Sequence, residues 1–577
     1  MKHIYSLFAC ILICITMLQY RVVNSDMHPG QPLLKVTVWD AFGYYVYLPS
    51  MLIYHDCTQL KWLDTIDKKY AVTGGDGYQA QRVENGNYVF KYLGGVAILE
   101  VPLFLTAHII AKASHYPADG FSPPYQYALG FGIILYCFLA VLLLRKILLI
   151  YFSDLTTTIT LLVVCLATNF LQYAAVDSGQ SHAYIFPLYV LVMYTTMRWH
   201  RKPAAIWAML TGYIIGLATI SRPTEAIMLF IPLFWDTQTK EAARAKWQLV
   251  KANKRQIMLA AIGGLAGILP QLLYWKAVTG SFIYDVGSKW EFLSPHFRVL
   301  FGWEKGWFIY TPVTILFIGG MFFIKQFPFR KSALWFCLLN IYIIIAWHDW
   351  RYGGSYSTRA LVQSYPVFAL PFAAITERIS KEKWRIGFYV LCAYLLFVNL
   401  FQTWQYDKTI MHYNDMNRHY YESIYLNPNP GPIEMSLLDN DEVLKNETSY
   451  KASVIINSGV ADTVHFAANS ADTFGSVNLK SATAGITDSW IKVICIVRAP
   501  GCLWQSHMNV SLQAGNQSKT CRVRLFNAIS HDTTPNVYAC YVHIPPCLPE
   551  ASLKLFITSP FNFNGVVEKV FVERLDR

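Results

Sequence analysis

Apolar segments near the roughly twenty-residue length that crosses a bilayer recur from residue 4 to residue 403 and then stop. Lipid is the solvent that suits such a chain. Composition agrees, because only 15% of residues are charged and 54% are hydrophobic, whereas soluble globular proteins carry about 25% charged residues. Beyond residue 430 the character changes to alternating apolar and polar positions with many Asn, Ser, Thr and Asp. The sequence therefore predicts a mainly α-helical polytopic membrane domain over 1–405, with a large outer loop at 24–125. An all-β, extracytoplasmic domain is predicted over 430–577.

The formal charge of +12 suggests a nucleic-acid partner only if the cations share a face, and they do not. They lie in short clusters at 145–146, 198–202, 240–255, 325–331 and 378–385, between apolar runs. Placing each cluster on the cytoplasmic side predicts eleven spans, at 4–21, 126–144, 156–174, 183–198, 204–220, 223–235, 257–275, 308–325, 332–347, 360–377 and 386–403. The first is read as an uncleaved span, since no small-x-small cleavage site follows it. Segment 92–113 carries Glu100, Pro102 and His108, and crossing there would put every later cluster outside. It is therefore expected to be a juxtamembrane or partly re-entrant helix. The C-terminal domain then lies outside. Its five cysteines, Cys495, Cys502, Cys521, Cys540 and Cys547, fit one or two disulfides of open pairing plus a free thiol.

This topology gathers the unusual polar residues at one face. Asp40 stands among Trp39, Phe42, Tyr44, Tyr45 and Tyr47, where a carboxylate can serve as general base, hold a divalent cation such as Mg or Mn, or simply cap a helix. Asp177 and His182 share the turn DSGQSHAY. They either join Asp40 in proton transfer or form a solvated turn. Arg222, in SRPTE, sits between two spans with almost no loop, which is costly unless it pairs with Glu225 or faces an anion.

The stretch WHDWRYGGSYSTR (347–359) is bracketed by two nearly continuous apolar runs. Its glycines permit a tight turn. Arg351 and Arg359, with Arg222 and with Lys305 from FGWEKGWFIYTP, are candidates for a lipid phosphate or pyrophosphate. Trp350, Tyr352, Tyr44 and Tyr45 offer surfaces on which a sugar stacks, and His348 and Asp349 can orient one another. No Walker-type phosphate loop, Cys/His zinc spacing or GxSxG elbow is present.

With Asp40 after the first span and Asp177 in a later outer loop, the chain resembles the GT-C superfamily of membrane glycosyltransferases, which includes protein O-mannosyltransferases and bacterial aminoarabinose transferases. The phrases DGFSPPYQ, LATISRPTEA, EKGWFIYTP and WRYGGSYSTRALVQSYP are similar to those of uncharacterised bacterial integral membrane proteins of glycosyltransferase type, over residues 30–400. The resemblance implies transfer of a sugar from a polyprenyl-phosphate-linked donor to an extracytoplasmic acceptor, a protein or a cell-envelope glycan or lipid. It implies Asp40 as base in an enzyme of the bacterial inner membrane, with membrane lipid and no nucleic acid as partners. Two departures bear on the acceptor: Ala41 replaces the Glu common in O-mannosyltransferases, and no WWDYG-like motif occurs. The alternatives are a lipid-linked sugar transporter or flippase, and a non-catalytic polysaccharide assembly protein.

In the C-terminal region, SVIINS, TVHFAAN, WIKVICIVRA, MNVSLQAG, TCRVRLFNA, VYACYVHIP, ASLKLFITS and VEKVFVERL alternate with a two-residue period. They predict a β-sandwich of about eight strands, jelly-roll-like in type. Sequons occur at Asn446, Asn509 and Asn516.

Overall fold

The computed structural model describes residues 3–26, 36–73, 79–459, 463–466, 473–479, 488–498, 505–525, 535–546, 548, 550–560 and 562–577. They form two compact units, Met1–Thr403 and Trp404–Arg577. The first is mostly helical, and the second holds most of the β structure.

In the first unit, helix α1 (Ile4–Asp26) leads to a small outer-loop subdomain. It contains α2 (Asp40–Tyr45), α3 (Tyr47–Leu52), α4 (Leu63–Tyr70) and the hairpin β1 (Ala80–Arg82) with β2 (Tyr88–Phe90). Then follow α5 (Gly95–Ala113), α6 (Pro123–Leu148), α7 (Asp154–Leu166), α8 (Phe170–Ala175), α9 (Ser181–Arg201), α10 (Ala205–Thr219), α11 (Phe230–Phe234), α12 (Lys240–Ala252) and α13 (Lys254–Thr279). The remainder is α14 (Arg298–Phe301), α15 (Trp307–Tyr310), α16 (Thr314–Gly320), α17 (Arg330–Ile345), α18 (Tyr365–Ile379) and α19 (Arg385–Asp407).

Local chemistry sets several of these ends. Pro123 and Pro124 open α6 in its first turn, where a missing N–H costs nothing. Ser153 caps α7 by accepting from Thr156 N at 3.3 Å. Gly280 closes α13 with φ of 84°.

Among the described residues five helices, α1, α5, α6, α13 and α19, are long and apolar enough to cross a membrane, and shorter apolar helices lie between them. Helix α5 belongs to this set, although the sequence predicts a juxtamembrane segment there. It runs antiparallel to α6, with Tyr136 Oη donating to Leu99 O at 3.1 Å, and its Glu100 is buried. Helices α10 and α13 approach most closely through glycines. A Cβ on Gly212 would stand 1.8 Å from Ala260 O, and one on Gly216 2.2 Å from Gly264 O. Small residues at four-residue spacing permit such contact between membrane helices.

The N-terminus and the basic end of α6 share one end of the bundle. Arg145 donates to Ser6 Oγ at 2.8 Å and to His3 O at 2.6 Å. The loops before α2, α9 and α18 meet at the other end.

The second unit starts with α20 (Arg418–Ile424) and α21 (Pro432–Ser436), followed by β3 (Lys451–Ser458), β4 (Thr463–Phe466), β5 (Thr473–Asn478), β6 (Ser489–Arg498), β7 (His507–Ala514), β8 (Gln517–Arg524), β9 (Asn536–His543), β10 (Ser552–Thr558) and β11 (Phe563–Asp576). All pairings are antiparallel, in sheets of order β5-β10-β7-β8 and β3-β11-β6-β9, with β4 also on β11. Alternate residues of both sheets join one core: Ile491, Val493 and Cys495 from β6 meet Val510, Leu512, Leu553 and Leu555. Strand β5, TFGSVN, is absent from the eight predicted segments, because its Gly and Ser blur the alternation.

Cys495, Cys521 and Cys540 are free thiols, which corrects the disulfide expectation for these three. Cys495 and Cys540 point into the core as small hydrophobes. Cys502 and Cys547 lie outside the described residues. Asn509 is buried, its amide donating to Thr558 Oγ1 at 2.9 Å, so this sequon is inaccessible.

Candidate active site

Asp40 is the first residue of α2, and the residue before it, Trp39, has φ 53° and ψ −128°. For a residue with a Cβ this region costs on the order of 1–3 kcal/mol, and such strain concentrates at functional positions. Both carboxylate oxygens of Asp40 are engaged. Oδ2 accepts from Arg359 Nη2 at 2.7 Å and Oδ1 from Tyr92 Oη at 2.6 Å. Arg359 Nη1 donates onward to Gln180 Oε1 at 2.6 Å. Burial alone would push the Asp40 carboxyl up. The Arg359 guanidinium and the Tyr92 hydroxyl outweigh it and hold the group below the usual carboxylate range.

Arg359 is delivered by the WHDWRYGGSYSTR loop. Tyr352, Gly353 and Ser357 adopt φ of 54°, 63° and 54°, turning the chain back on itself. Lys305, itself buried, clamps the turn by donating to Arg351 O at 3.0 Å and to Gly353 O. Thr358 Oγ1 donates to Val299 O at 2.8 Å, and Tyr352 Oη to Ile344 O at 2.6 Å.

Arg222 follows α10 in extended conformation, just before a 3-10 turn, Pro223–Leu229. Its Nη1 lies 3.1 Å from His182 Nδ1, and that nitrogen, 2.9 Å from Gln363 Oε1, carries the ring proton and donates it there. Glu225 does not neutralise Arg222 by direct pairing. Its carboxylate accepts from Gln363 Nε2 at 3.0 Å and from the Tyr189 hydroxyl. Arg222 therefore offers its charge to the space above it.

That space is a hollow of about 430 Å³. Asp40, Tyr44, His182, Arg222, His348, Asp349, Tyr352 and Arg359 all line it, together with Lys91, Tyr92, Gln180 and Trp290. Residues from six separate stretches of sequence thus converge on one volume, of the size that holds a small ligand. Trp290 and Trp347 form one wall, their rings 6.3 Å apart.

Five predicted site residues lie elsewhere. Asp177 does not line the hollow; it accepts from Gln172 Nε2 at 3.3 Å, and burial pushes its carboxyl up. Tyr45 is buried in the outer-loop core, its hydroxyl 2.5 Å from Gly120 O. Lys305 holds the loop, as described. Arg351 is exposed and lies over the Trp350 ring at 5.2 Å, with Arg298 also 5.7 Å from that ring.

Tyr92, Lys91, Gln180, Gln363 and Trp290 were missed. Tyr92 precedes Gly94 and Gly95, and a Cβ on Gly95 would sit 2.5 Å from Ser221 N. That glycine pair, which lets the chain approach the Arg222 segment, was the available signal.

The donor set does not fit a resident divalent cation. Among the described residues no three His, Cys, Asp or Glu side chains come together as ligands, and the Asp40 oxygens face a guanidinium and a hydroxyl.

No family model matches the chain, and no curated protein matches its sequence. Solved structures do match, at low identity. The apo oligosaccharyltransferase of Archaeoglobus fulgidus is 10% identical with a TM-score of 0.44, the match covering 74% of this chain and 58% of that one. ArnT from Cupriavidus metallidurans bound to undecaprenyl phosphate is 12% identical with a TM-score of 0.42, covering 72% and 68%. Arabinosyltransferase EmbB from Mycobacterium smegmatis is 10% identical with a TM-score of 0.39, covering 97% and 64%. The chain thus spans little more than half the length of the archaeal enzyme. The chemistry assigned to the hollow rests on its own residues.

Proposed function

We propose that the protein is a membrane glycosyltransferase that moves a sugar from a polyprenyl-phosphate-linked donor to an acceptor hydroxyl on the extracytoplasmic side, borne by a protein or by a cell-envelope glycan or lipid. One observation carries the reading: a carboxylate oriented at both oxygens shares a 430 Å³ hollow with Arg222, a guanidinium that Glu225 does not pair directly.

The acceptor oxygen attacks the anomeric carbon, the carbon–phosphate oxygen bond breaks, and Asp40 takes the hydroxyl proton. Arg222 and Lys91 meet the charge that develops on the departing phosphate. Arg359 has two duties. In the free enzyme it holds Asp40, at the expense of basicity. A donor phosphate competes for the same guanidinium, and as it draws Arg359 away the Asp40 pKa rises toward that of a working base. His182, held by its bond to Gln363, packs against Arg222 and limits where that guanidinium points. His348, Asp349, Tyr352, Tyr44 and Trp290 supply the polar edges and aromatic faces against which a saccharide packs.

The reading extends to the whole chain. Residues 1–405 form the catalytic unit with eleven spans in a bacterial inner membrane. Residues 430–577 form a β-sandwich on the periplasmic side. The test is transfer of labelled sugar from polyprenyl phosphate by purified protein, with Asp40→Asn as the comparison.

A further inference from the structure

At the end of the helical unit remote from the hollow, α9 to α13 enclose a groove of about 390 Å³. Its lining is almost wholly apolar, with Gly212, Ala261 and Gly264 among its residues. About 21 Å of helix, the fourteen residue steps from His182 to Thr196, separates it from the candidate active site.

Of the polar side chains lining this groove, Thr211 is satisfied by Trp207 O and Thr195 Oγ1, and three others keep unused hydrogen-bonding capacity. Thr196 Oγ1 is buried, the residue 1% exposed, without a hydrogen-bond partner. His200 Nε2 is also buried without one. Its Nδ1 lies 2.8 Å from Thr196 O, so Nδ1 carries the proton and Nε2 of the neutral ring is an acceptor. Lys246, 5% exposed, donates to Pro232 O at 2.7 Å and to Leu233 O, which leaves its third N–H. Buried polar groups without partners are uncommon, and here they sit together in an otherwise hydrocarbon-like groove.

We propose that the groove binds one anionic phospholipid of the leaflet opposite the hollow, phosphatidylglycerol in type. An acyl chain occupies the apolar trough, a phosphate oxygen takes the remaining Lys246 N–H, and a headgroup hydroxyl donates to His200 Nε2 while Thr196 Oγ1 bonds an ester oxygen. Charge selects the class. The basic clusters 198–202 and 240–255 flank the groove, and α12 brings Lys246 to it from the second cluster, as juxtamembrane cations do for acidic lipids. The assignment does not depend on glycosyl transfer.

Native mass spectrometry of the full-length protein in detergent, titrated with phosphatidylglycerol or phosphatidylcholine, tests it. One phosphatidylglycerol should be retained at a concentration at least tenfold below that needed for phosphatidylcholine. Lys246→Gln, which keeps a donor for the Pro232 carbonyl, should lower that retention at least fivefold, and Lys246→Arg should restore most of it. Ala261→Trp, at an exposed groove position, should abolish it while the thermal unfolding midpoint stays unchanged. Equal retention of the two lipids, phosphatidylglycerol binding that neither Lys246→Gln nor Ala261→Trp alters, or a protein dimer that Ala261→Trp dissociates would each overturn the assignment.

Discussion

Arg359 and Asp40, 319 positions apart in the chain, meet at 2.7 Å between Nη2 and Oδ2 on the wall of the hollow. The pair joins the first outer loop to the loop before α18, and it lowers the Asp40 pKa. A depressed carboxyl stays ionised through the neutral range, so the acidic limb of kcat/KM, which reports free enzyme, should lie below the usual carboxylate value of about 4. If donor phosphate draws Arg359 away, the limb of kcat should lie at higher pH than that of kcat/KM. In Arg359→Gln burial is opposed only by the Tyr92 hydroxyl and Lys91, and both limbs should move upward together. The same depression contributes stability that is present above the unfolded carboxyl pKa and lost as pH falls through the folded one. pH–rate profiles of the two proteins check the sign.

Tyr92→Phe removes the hydrogen bond to Asp40 Oδ1 but keeps the ring against Tyr44, whose centroid is 4.4 Å away. A hydrogen bond to a charged group contributes about 1.5–3 kcal/mol. pH–rate profiles should therefore show the acidic limb of kcat/KM moved upward by about one unit or more at about 1.4 kcal/mol per unit. The KM for donor should be little changed.

Arg222→Gln should act on the donor instead. With a charge-assisted contact to phosphate lost, KM for the lipid-linked sugar should rise about tenfold or more. Inhibition by free polyprenyl phosphate should weaken in parallel. Arg222→Lys should rescue poorly, because an ammonium lacks the planar pair of donors.

Lys305→Met distinguishes a loop clamp from a phosphate ligand. Loss of the clamp takes the shared donor from two carbonyls, those of Arg351 and Gly353, and a hydrogen bond to a charged group contributes about 1.5–3 kcal/mol. The thermal midpoint should fall and activity should fall with it. An unchanged midpoint with a raised donor KM would return Lys305 to the phosphate site.

In the second unit, Arg524 lies 2.5 Å from Asp439, whose side chain is 3% exposed, and also contacts Asp415 and His412. Removing one partner of a buried pair costs about 3–5 kcal/mol, so Arg524→Ala should accelerate hydrogen exchange across 404–577.

Much of this was legible in the residues, for identifiable reasons. Arg222 had almost no loop to carry it into water, and Arg359 closed a cluster of charges between apolar runs. Both line the hollow with Asp40. Length and apolarity also marked the long helices. What stayed hidden depends on chain direction within loops. Lys305 and Arg351 carry the right charge, but backbone turns at Tyr352 and Gly353 aim one at carbonyls and the other outward. Tyr92 and Gln363 are ordinary residues by type, and only the approach of Gly95 to Ser221 and the fold of the Arg359–Ser364 turn bring them to the site. Strand β5 lacked the β-branched alternation that marked its neighbours.

The most direct measurement is transfer of radiolabelled sugar from polyprenyl phosphate by purified protein and by Asp40→Asn in parallel. Loss of a general base commonly costs a factor of about 10²–10⁴, and a fall of that size with an intact fold is the expected result. Transfer by Asp40→Asn at the parent rate would contradict the assignment of Asp40 as the base.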